Sequence, residues 1–562
     1  MRNIEYSAKF CVIGGGLAGL CAAVSAARRG IDTVLVHDRP VLGGNSSSEI
    51  RMWVCGAHGE DNRETGLIEE IELENFYQNP SNKYSIWDSV LYEKAMLEPK
   101  LKLLLNTTCI DAQCEDNVIK SVTAWQLNSQ TYYKIKADFF ADCSGDSILA
   151  PLTGAEYMYG REAKSEYGET IPPDVADKKT MGMSCLFQIR ETDHKTEFTP
   201  PEWAYTFETD DDLPEAVHDC EDNFWWIETG GEGDCIHDTD KCRDELLKIV
   251  YGVWDHMKNK GDHGVDNWEL EWIGFLPGKR ESRRYKGAYV INQNDVEGGG
   301  KFDDVVAYAG WTMDDHFPKG FYHRGSHPTI YHPAPSPWGI CFRSLYSANI
   351  KNLLFAGRNI SVTHAALSSS RVMATCSLLG QAVGTAVAVM SEDNSDMRSI
   401  DIKKLQSYLM WDDCFLPGVK RDISALSLSA HCSAPIVINA SERGEENLWR
   451  GKEGDFIEYR FDKPETVKKV RLVFDSDLNR DYHNMPCNYK LHEDRFTMPE
   501  TLIKAYKIVF TDESGAEKVI SVKNNRNRLV VHDICENAVL VRFVPLETYG
   551  CETFNVFGFE LA

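Results

Sequence analysis

Apolar residues run along this chain in three rhythms. The first is the short continuous run. Phe10-Cys11-Val12-Ile13 and Thr33-Val34-Leu35-Val36 are such runs, and between them an alanine-rich helix extends from Leu17 to about Arg29 and ends at Gly30. Continuous apolar runs of four to eight residues fit strands buried on both faces, so the segment reads as a βαβ unit. Tyr132 to Phe140 and Asn352 to Phe355 read as further strands, and Thr107 to Ile110 as the end of one. The second rhythm is helical. Asp238 to Lys260 places Leu246, Leu247, Val250, Val253 and Trp254 on one face, and an apolar helix rich in small residues covers Ala374 to Met390. Met181 to Arg190 and Trp268 to Leu276 read as strands. The third rhythm has period two and begins near residue 430. Residues 456–461, 467–474, 505–510, 529–531 and 539–544 alternate or cluster between turns, the spacing of an antiparallel β-sandwich.

The 562 residues correspond to about three or four domains at roughly 150 residues each. A net charge of −26 speaks against nucleic acid and against anionic membranes as partners, because both demand clustered lysine and arginine. The 17 cysteines contain no C-x-x-C pair, and Cys11, Cys21, Cys143 and Cys376 lie in apolar segments. That usage fits a reducing compartment, so a cytoplasmic location is expected. Met1 to Phe10 includes Glu5 and no apolar run, so no leader is expected. The longest apolar stretches, Cys11–Ala27 and Ala374–Met390, fall short of the roughly 20 residues of a membrane span.

The most specific chemistry sits at the first βα turn, where Gly14-Gly15-Gly16-Leu17-Ala18-Gly19 has the G-x-G-x-x-G spacing. Gly14 makes the tight turn, Gly16 admits a pyrophosphate to the backbone, and Gly19 packs helix on strand. Leu17 and Ala18 open the helix whose free N–H groups face the phosphates. His37 and Asp38, at the end of the second strand, are the two candidates for the ribose hydroxyls, and the spacing does not choose between them. Gly230-Gly231 and Gly298-Gly299-Gly300 lack a preceding apolar strand, so no second nucleotide site is expected.

Arg39-Pro40-Val41-Leu42-Gly43-Gly44-Asn45-Ser46 resembles the G-G-N-[ST] loop of the fumarate reductase and succinate dehydrogenase flavoprotein group. The longer stretch from Asp38 through Arg51 to Trp53 is similar to the branch called FAD-dependent oxidoreductase. The resemblance implies FAD as cofactor, with Arg39, Gly43, Gly44, Asn45, Ser46 and Arg51 along its phosphates and flavin edge. Ser144-Gly145-Asp146 resembles the turn that returns to FAD, and Cys109-Ile110 the segment that pairs with adenine. Gly357-Arg358, followed by Met373 and Ala374 at the head of the apolar helix, resembles the family's C-terminal FAD signature. Ile400 to about Val419 resembles the helix and turn that close the catalytic unit. Serines 46–48 occupy the place of the covalent histidyl motif, so FAD is expected to be non-covalent; Cys55 and His58 lie further on. His37 stands where the group usually has Glu.

For the reacting end, the resemblance and the residue types point to His364, Arg371, His332 and Arg284. Histidine takes or gives a proton near neutral pH, and arginine holds substrate oxygens. Arg284 closes the run Lys279-Arg280-Glu281-Ser282-Arg283-Arg284, and four histidines fall between His316 and His332. His323 and His327 have H-x₃-H spacing, but the surrounding prolines exclude a helix, and no metal site is assigned.

The expected fold is a Rossmann-like α/β FAD-binding domain (1–150 and 340–425), an inserted α+β substrate or cap domain (151–339) and an antiparallel β-sandwich (430–562). The last resembles a discoidin or galactose-binding-like domain, with Trp449 and Tyr482 as sugar-stacking candidates. The expected function is hydride transfer between FAD and a small polar substrate, a sugar or polyol-type alcohol. The rivals are a reductase of an unsaturated carboxylate and a carbohydrate-binding protein with a vestigial flavin fold. A small-molecule substrate and an unassigned electron acceptor are the expected partners; a homo-oligomer is left open.

Overall fold

The continuous apolar runs become the inner strands of one seven-stranded sheet. A computed structural model describes residues 1–216, 218–221, 223–492 and 496–562. Its strands are β1 (Arg2–Ile13), β2 (Thr33–Val36), β3 (Leu101–Leu104), β4 (Thr107–Glu115), β5 (Val118–Gln126) and β6 (Thr131–Asp142). The order is β3-β2-β1-β6-β5-β4. β1, β2, β3 and β6 run parallel, and the late strand Leu353–Phe355 adds in parallel to the end of β6, at Phe140 to Asp142. Segments more than 200 residues apart in sequence thus share one sheet. Thr107 starts a strand instead of ending one, because Asn106 takes a left-handed φ of 52° and breaks the run after β3.

The helix α1 (Leu17–Arg28) packs against the long helix Met373–Asp393. The contact is backbone on backbone: a Cβ on Gly380 would lie 1.9 Å from the carbonyl oxygen of Ala18, so only glycine fits. Met373–Asp393 is long and apolar enough to cross a membrane, yet 94% of its most apolar window is buried within the protein. It is a core helix of the flavin-type domain, and it extends the apolar stretch read from sequence to 21 residues.

The inserted region carries the helix Thr239–Asp255, whose buried face includes Leu246, Leu247, Val250, Val253 and Trp254 as the periodicity requires. The strands Phe187–Glu191 and Trp268–Ile273 pair antiparallel beside it. A hairpin of Met313–His316 and Thr329–His332 reaches toward the flavin-type domain. Opposed residues of a hairpin share a face, so Asp314, His316 and Tyr331 point one way while Met313, Asp315 and His332 point the other.

The C-terminal strands form a second, seven-stranded antiparallel sheet. Two strands are long, Ile457–Phe474 and Leu529–Thr548, and both shift register at bulges between Arg460 and Glu465 and between Val467 and Lys469. The bulges switch burial from Ile457, Tyr459 and Phe461 to Val470, Leu472 and Phe474, so one face keeps its apolar residues in a single core. Trp449 lies over Gly451 and is half-buried against that core. Tyr482 packs on Phe76 and Phe496 and donates its hydroxyl hydrogen to the Thr497 carbonyl at 3.0 Å.

Between Phe474 and Ile503 the chain leaves this sheet and docks on the rest of the molecule. Arg480, fully buried, meets Glu69 at 2.6 Å and Glu72 at 3.0 Å on the helix α2 (Leu67–Gln78). The Asn484 side-chain oxygen accepts the Val54 N–H at 2.7 Å. Tyr489 adds to the edge of Phe187–Glu191, its N–H bonding the Ile189 carbonyl at 3.0 Å and its carbonyl the Glu191 N–H at 2.8 Å. The C-terminal unit is therefore sewn to both other parts.

Candidate functional site

The G-x-G-x-x-G turn forms one wall of a groove of about 370 Å³. Gly14 has a φ of 103° and abuts the Cys143 carbonyl, so a Cβ there would collide with it. Gly16 is different: a Cβ would meet only Gly44, at 3.8 Å, and would otherwise project into the groove. Gly19 does not line the groove; a Cβ there would lie 1.8 Å from the Gly14 carbonyl oxygen, so its absence serves packing.

The structure separates the two ribose candidates. The buried His37 ring accepts the Gly15 N–H at Nδ1 (2.9 Å) and donates from Nε2 to the Val41 carbonyl (2.9 Å). Both nitrogens are committed to holding the glycine turn, and the imidazole is neutral; burial lowers its pKa to about 4. Asp38, next along, lines the groove with a carboxylate that is 61% exposed. Asp38 is thus the acceptor left for a ribose.

Gly43 and Gly44, which line the groove, both take left-handed φ values, 106° and 62°, and the Gly43 N–H ties the loop to the glycine turn at the Gly15 carbonyl, 2.9 Å away. Arg39, Asn45, Cys109, Ser144, Gly145 and Asp146 line it, as do Leu17, Ala18, Gly357, Arg358 and Met373. Burial pushes the Asp146 carboxyl up, but Arg358 and Lys279 outweigh it and hold the group well below the usual range. Lys279 lies 2.7 Å from Asp146, and Arg358 lies 2.5 Å from the same carboxylate.

Four further expected cofactor residues lie off the groove wall. Ser46 is buried and donates to the Gly43 carbonyl at 2.9 Å, closing the loop from behind. Arg51 turns away to Gln188 at 2.9 Å, its guanidinium over Tyr84 and Trp272. Ile110 is exposed, one position out of phase with Cys109 along β4. Ala374 gives its N–H to the Cys55 carbonyl at 2.9 Å on the far side of the helix start.

A second cavity, of about 470 Å³, opens off the first, and the two share Asn45, Ile50, Lys279, Arg358, Arg371 and Met373. Its walls are aromatic: Trp53, Trp225, Trp311 and Tyr331, with His483 from the docked C-terminal segment stacked on Trp53 at 5.3 Å. Its polar groups include Arg280, Asp314, His316 and Arg371, besides the shared Asn45, Lys279 and Arg358. Asp314 accepts from the Trp311 indole N–H and the Thr312 hydroxyl, both at 2.5 Å.

His316 lies in a chain of charge-assisted bonds. Nδ1 donates to Glu228 at 2.7 Å, and Nε2 accepts from the Arg371 guanidinium at 3.1 Å. An accepting Nε2 carries no proton, so the ring is neutral. Burial lowers the His316 pKa, and Glu228 restores it only in part, since Arg280 and Arg371 repel a proton there. Glu228 is ionised: burial would raise it, but Arg280 and His316 bring it down to about 2. The Arg371 Nε is buried with no hydrogen-bond partner among the described residues, where the two cavities meet. An orphaned cationic donor at that junction, the glycine cradle and the exposed Asp38 fit a bound dinucleotide with a substrate beyond it.

Of the four residues expected at the reacting end, the structure brings Arg371 alone to the cavity wall. His364 lies inside a buried charge network, with Nδ1 on Glu281 at 2.9 Å. Burial would lower its pKa, but Glu281 and Asp315 outweigh burial and raise it to about 10. Arg284 is fully buried in the same network, 2.9 Å from Glu162 and 3.3 Å from Glu281. His332 is on the hairpin face turned away from the cavity, a consequence of strand parity. In the run Lys279 to Arg284, Lys279 and Arg280 line the second cavity, whereas Glu281 and Arg284 enter the network. Sequence reasoning did not single out Glu228 or His483, and it gave no catalytic role to Arg280, Asp314 or His316, although Arg280 lies in the basic run and Asp314 and His316 in the polar run before the histidines. The density of charge between Gly310 and His316 pointed toward His316, but the parity that selects Asp314 and His316 over Asp315 needs the hairpin register.

No curated protein matches the chain. Among solved structures, an anhydrotetracycline hydroxylase, OxyS from Streptomyces rimosus, is 10% identical with a TM-score of 0.32, covering 68% of this chain and 63% of its own. A geranylgeranyl bacteriochlorophyll reductase-like protein from Thermoplasma acidophilum is 11% identical with a TM-score of 0.30, covering 72% and 84%. A family 32 carbohydrate-binding module from Streptococcus pneumoniae EndoD is 11% identical with a TM-score of 0.18, covering 24% of this chain and 92% of the module. The family model described as FAD dependent oxidoreductase matches residues 10–409. The chain accordingly belongs to the FAD dependent oxidoreductase family, an enzyme with FAD as its cofactor.

Proposed function

We propose that this enzyme oxidises a sugar or polyol-type alcohol in the aromatic cavity beside the FAD groove. The observation that carries the reading is the lining: Trp53, Trp225 and Trp311 stand around the hydrogen-bonding groups of Asp314, His316 and Arg280. Apolar C–H faces of a pyranose stack on indole rings, and its hydroxyls need acceptors and donors set among them. Bound FAD supplies a hydride acceptor. His316 takes the hydroxyl proton at Nε2, with Glu228 holding Nδ1 so that the ring stays in the accepting tautomer. Arg371 then stabilises the oxygen from which the proton leaves. FAD is held without a covalent link, by Asp38, the Gly43-Gly44 turn and the phosphate-facing start of α1.

The C-terminal unit, galactose-binding-like by its strand pattern, acts here as a wall of the active site through His483 on its docked segment. Arg280 and Arg371 support a second reading, a reductase of an unsaturated carboxylate, because they stand with Lys279 and Arg358 among the cations that line the cavity. Anaerobic mixing of the FAD-loaded enzyme with a panel of sugars, polyols and glycosides tests the two. Bleaching of the visible flavin absorbance by one of them is expected. Absence of bleaching, with reoxidation of the chemically reduced enzyme by fumarate or a related acid, would overturn the alcohol reading.

A further inference from the structure

Outside both cavities, four side chains of the inserted region converge on one point. Asp210 Oδ1 lies 2.9 Å from His256 Nε2, 3.6 Å from His218 Nε2 and 3.9 Å from His263 Nε2. One ligand-type atom from each of the four lies within 4.8 Å of the others. The three rings are inclined to one another by 54° to 62°, so they meet tip to tip instead of stacking.

Hydrogen bonding shows what these tips lack. His256 Nδ1 is 3.0 Å from the Phe207 carbonyl and His218 Nδ1 is 3.3 Å from the Ala216 carbonyl. A carbonyl only accepts, so both Nδ1 atoms carry the proton, and in the neutral ring both Nε2 atoms present lone pairs to the Asp210 carboxylate. His263 Nε2 is buried with no hydrogen-bond partner among the described residues. Two nitrogen lone pairs facing a carboxylate oxygen call for a positive charge between them, a metal ion or a proton, and the unbonded His263 Nε2 beside them offers a third imidazole ligand atom. A tetrahedral ion with bonds of about 2.0–2.1 Å holds its ligand atoms about 3.4 Å apart, inside the spread observed here. Backbone carbonyls on the second imidazole nitrogen are also the usual outer partners of metal-bound histidine.

We propose that Asp210, His218, His256 and His263 bind one zinc ion, or a similar borderline divalent cation, as a closed four-ligand structural site. Three imidazoles and one carboxylate suit zinc and exclude magnesium or calcium, which take oxygen shells. The ion ties Asp210 and His218 to His256, the residue that ends the helix Thr239–Asp255, and to His263 beyond it. The His218 ring lies 6.4 Å from Trp226, and the neighbouring Trp225 walls the substrate cavity. The site therefore braces one wall of that cavity without touching substrate.

The test uses the full-length, untagged, FAD-loaded protein. After incubation with zinc chloride and removal of excess, elemental analysis is expected to find about one zinc per chain, and Asp210→Asn and His263→Asn each to lower it below about a tenth. FAD content stays at the wild-type level. Zinc-free wild type loaded with cobalt(II) is expected to show the visible bands of four-coordinate cobalt without a thiolate charge-transfer band. A wild type that keeps no zinc, variants that keep as much as wild type, or a thiolate band that moves the metal to cysteine would each overturn the assignment. The cobalt spectrum needs no variant to fold.

Discussion

His316 is poised by its two partners. Glu228 fixes the tautomer and Arg371 marks where the lone pair points. His316→Asn is expected to slow substrate-dependent flavin bleaching by about 10²–10⁴-fold with FAD content unchanged, the range for loss of a general base. Because its pKa is lowered, the base form persists below the ordinary histidine value of about 6.5, so the acid limb of the rate profile should fall below that pH. Rapid-mixing rates across pH check this; an acid limb above it would contradict the assignment. His37 makes a second pH statement. Its folded pKa of about 4 lies below the unfolded value, so its stability contribution is complete above about pH 6.5 and is lost as pH falls from there toward 4. Thermal melts from pH 7 to 4 should show that loss, and His37→Asn should lower the melting temperature at pH 7 while flattening its fall with acid.

Elements decide which of the chain's charged residues reach the site. The glycine turn was legible in the sequence because φ values above zero and backbone contacts admit no other residue. The hairpin was not: Asp314, Asp315, His316 and His332 look equivalent in a polar run, and only strand register turns Asp314 and His316 inward. His364 and Arg284 looked functional for a related reason. Buried ion networks use the same residue types as active sites, and the partners that bury these two, Glu162 for Arg284 and Glu281 for His364, are distant from them in sequence. The docked segment after Phe474 was invisible in the same way, since Arg480 and Asn484 find their partners some 400 residues earlier. Arg480→Ala leaves Glu69 and Glu72 buried without their cation, and is expected to cost about 3–5 kcal/mol in denaturant unfolding. His483→Ala, by contrast, should raise KM several-fold with little change in kcat, because it shapes the cavity and stacks on Trp53 without touching the proton path. Steady-state kinetics on the best sugar of the panel would separate the two.

At the scale of the whole molecule, the FAD groove, the aromatic cavity and the C-terminal sheet form a single working unit. The three cofactor-binding segments could be read in order along the chain because each ends a strand at the same edge of one sheet. The inserted region could not, since its short strands and metal-type ligands come together only through the fold. A chain ending at residue 429 loses Arg480, Asn484 and His483 together, and is expected to lose flavin bleaching by substrate even where it retains FAD. The central claim is that proton transfer occurs at His316 in the aromatic cavity and that His364 belongs to the buried charge network. Anaerobic stopped-flow bleaching of wild type, His316→Asn and His364→Asn with the most reactive sugar measures it directly. The account predicts a loss of about 10²-fold or more for His316→Asn, and for His364→Asn a rate within about tenfold of wild type with lowered thermal stability. The reverse order, with His364→Asn inert and His316→Asn nearly unimpaired, would contradict it.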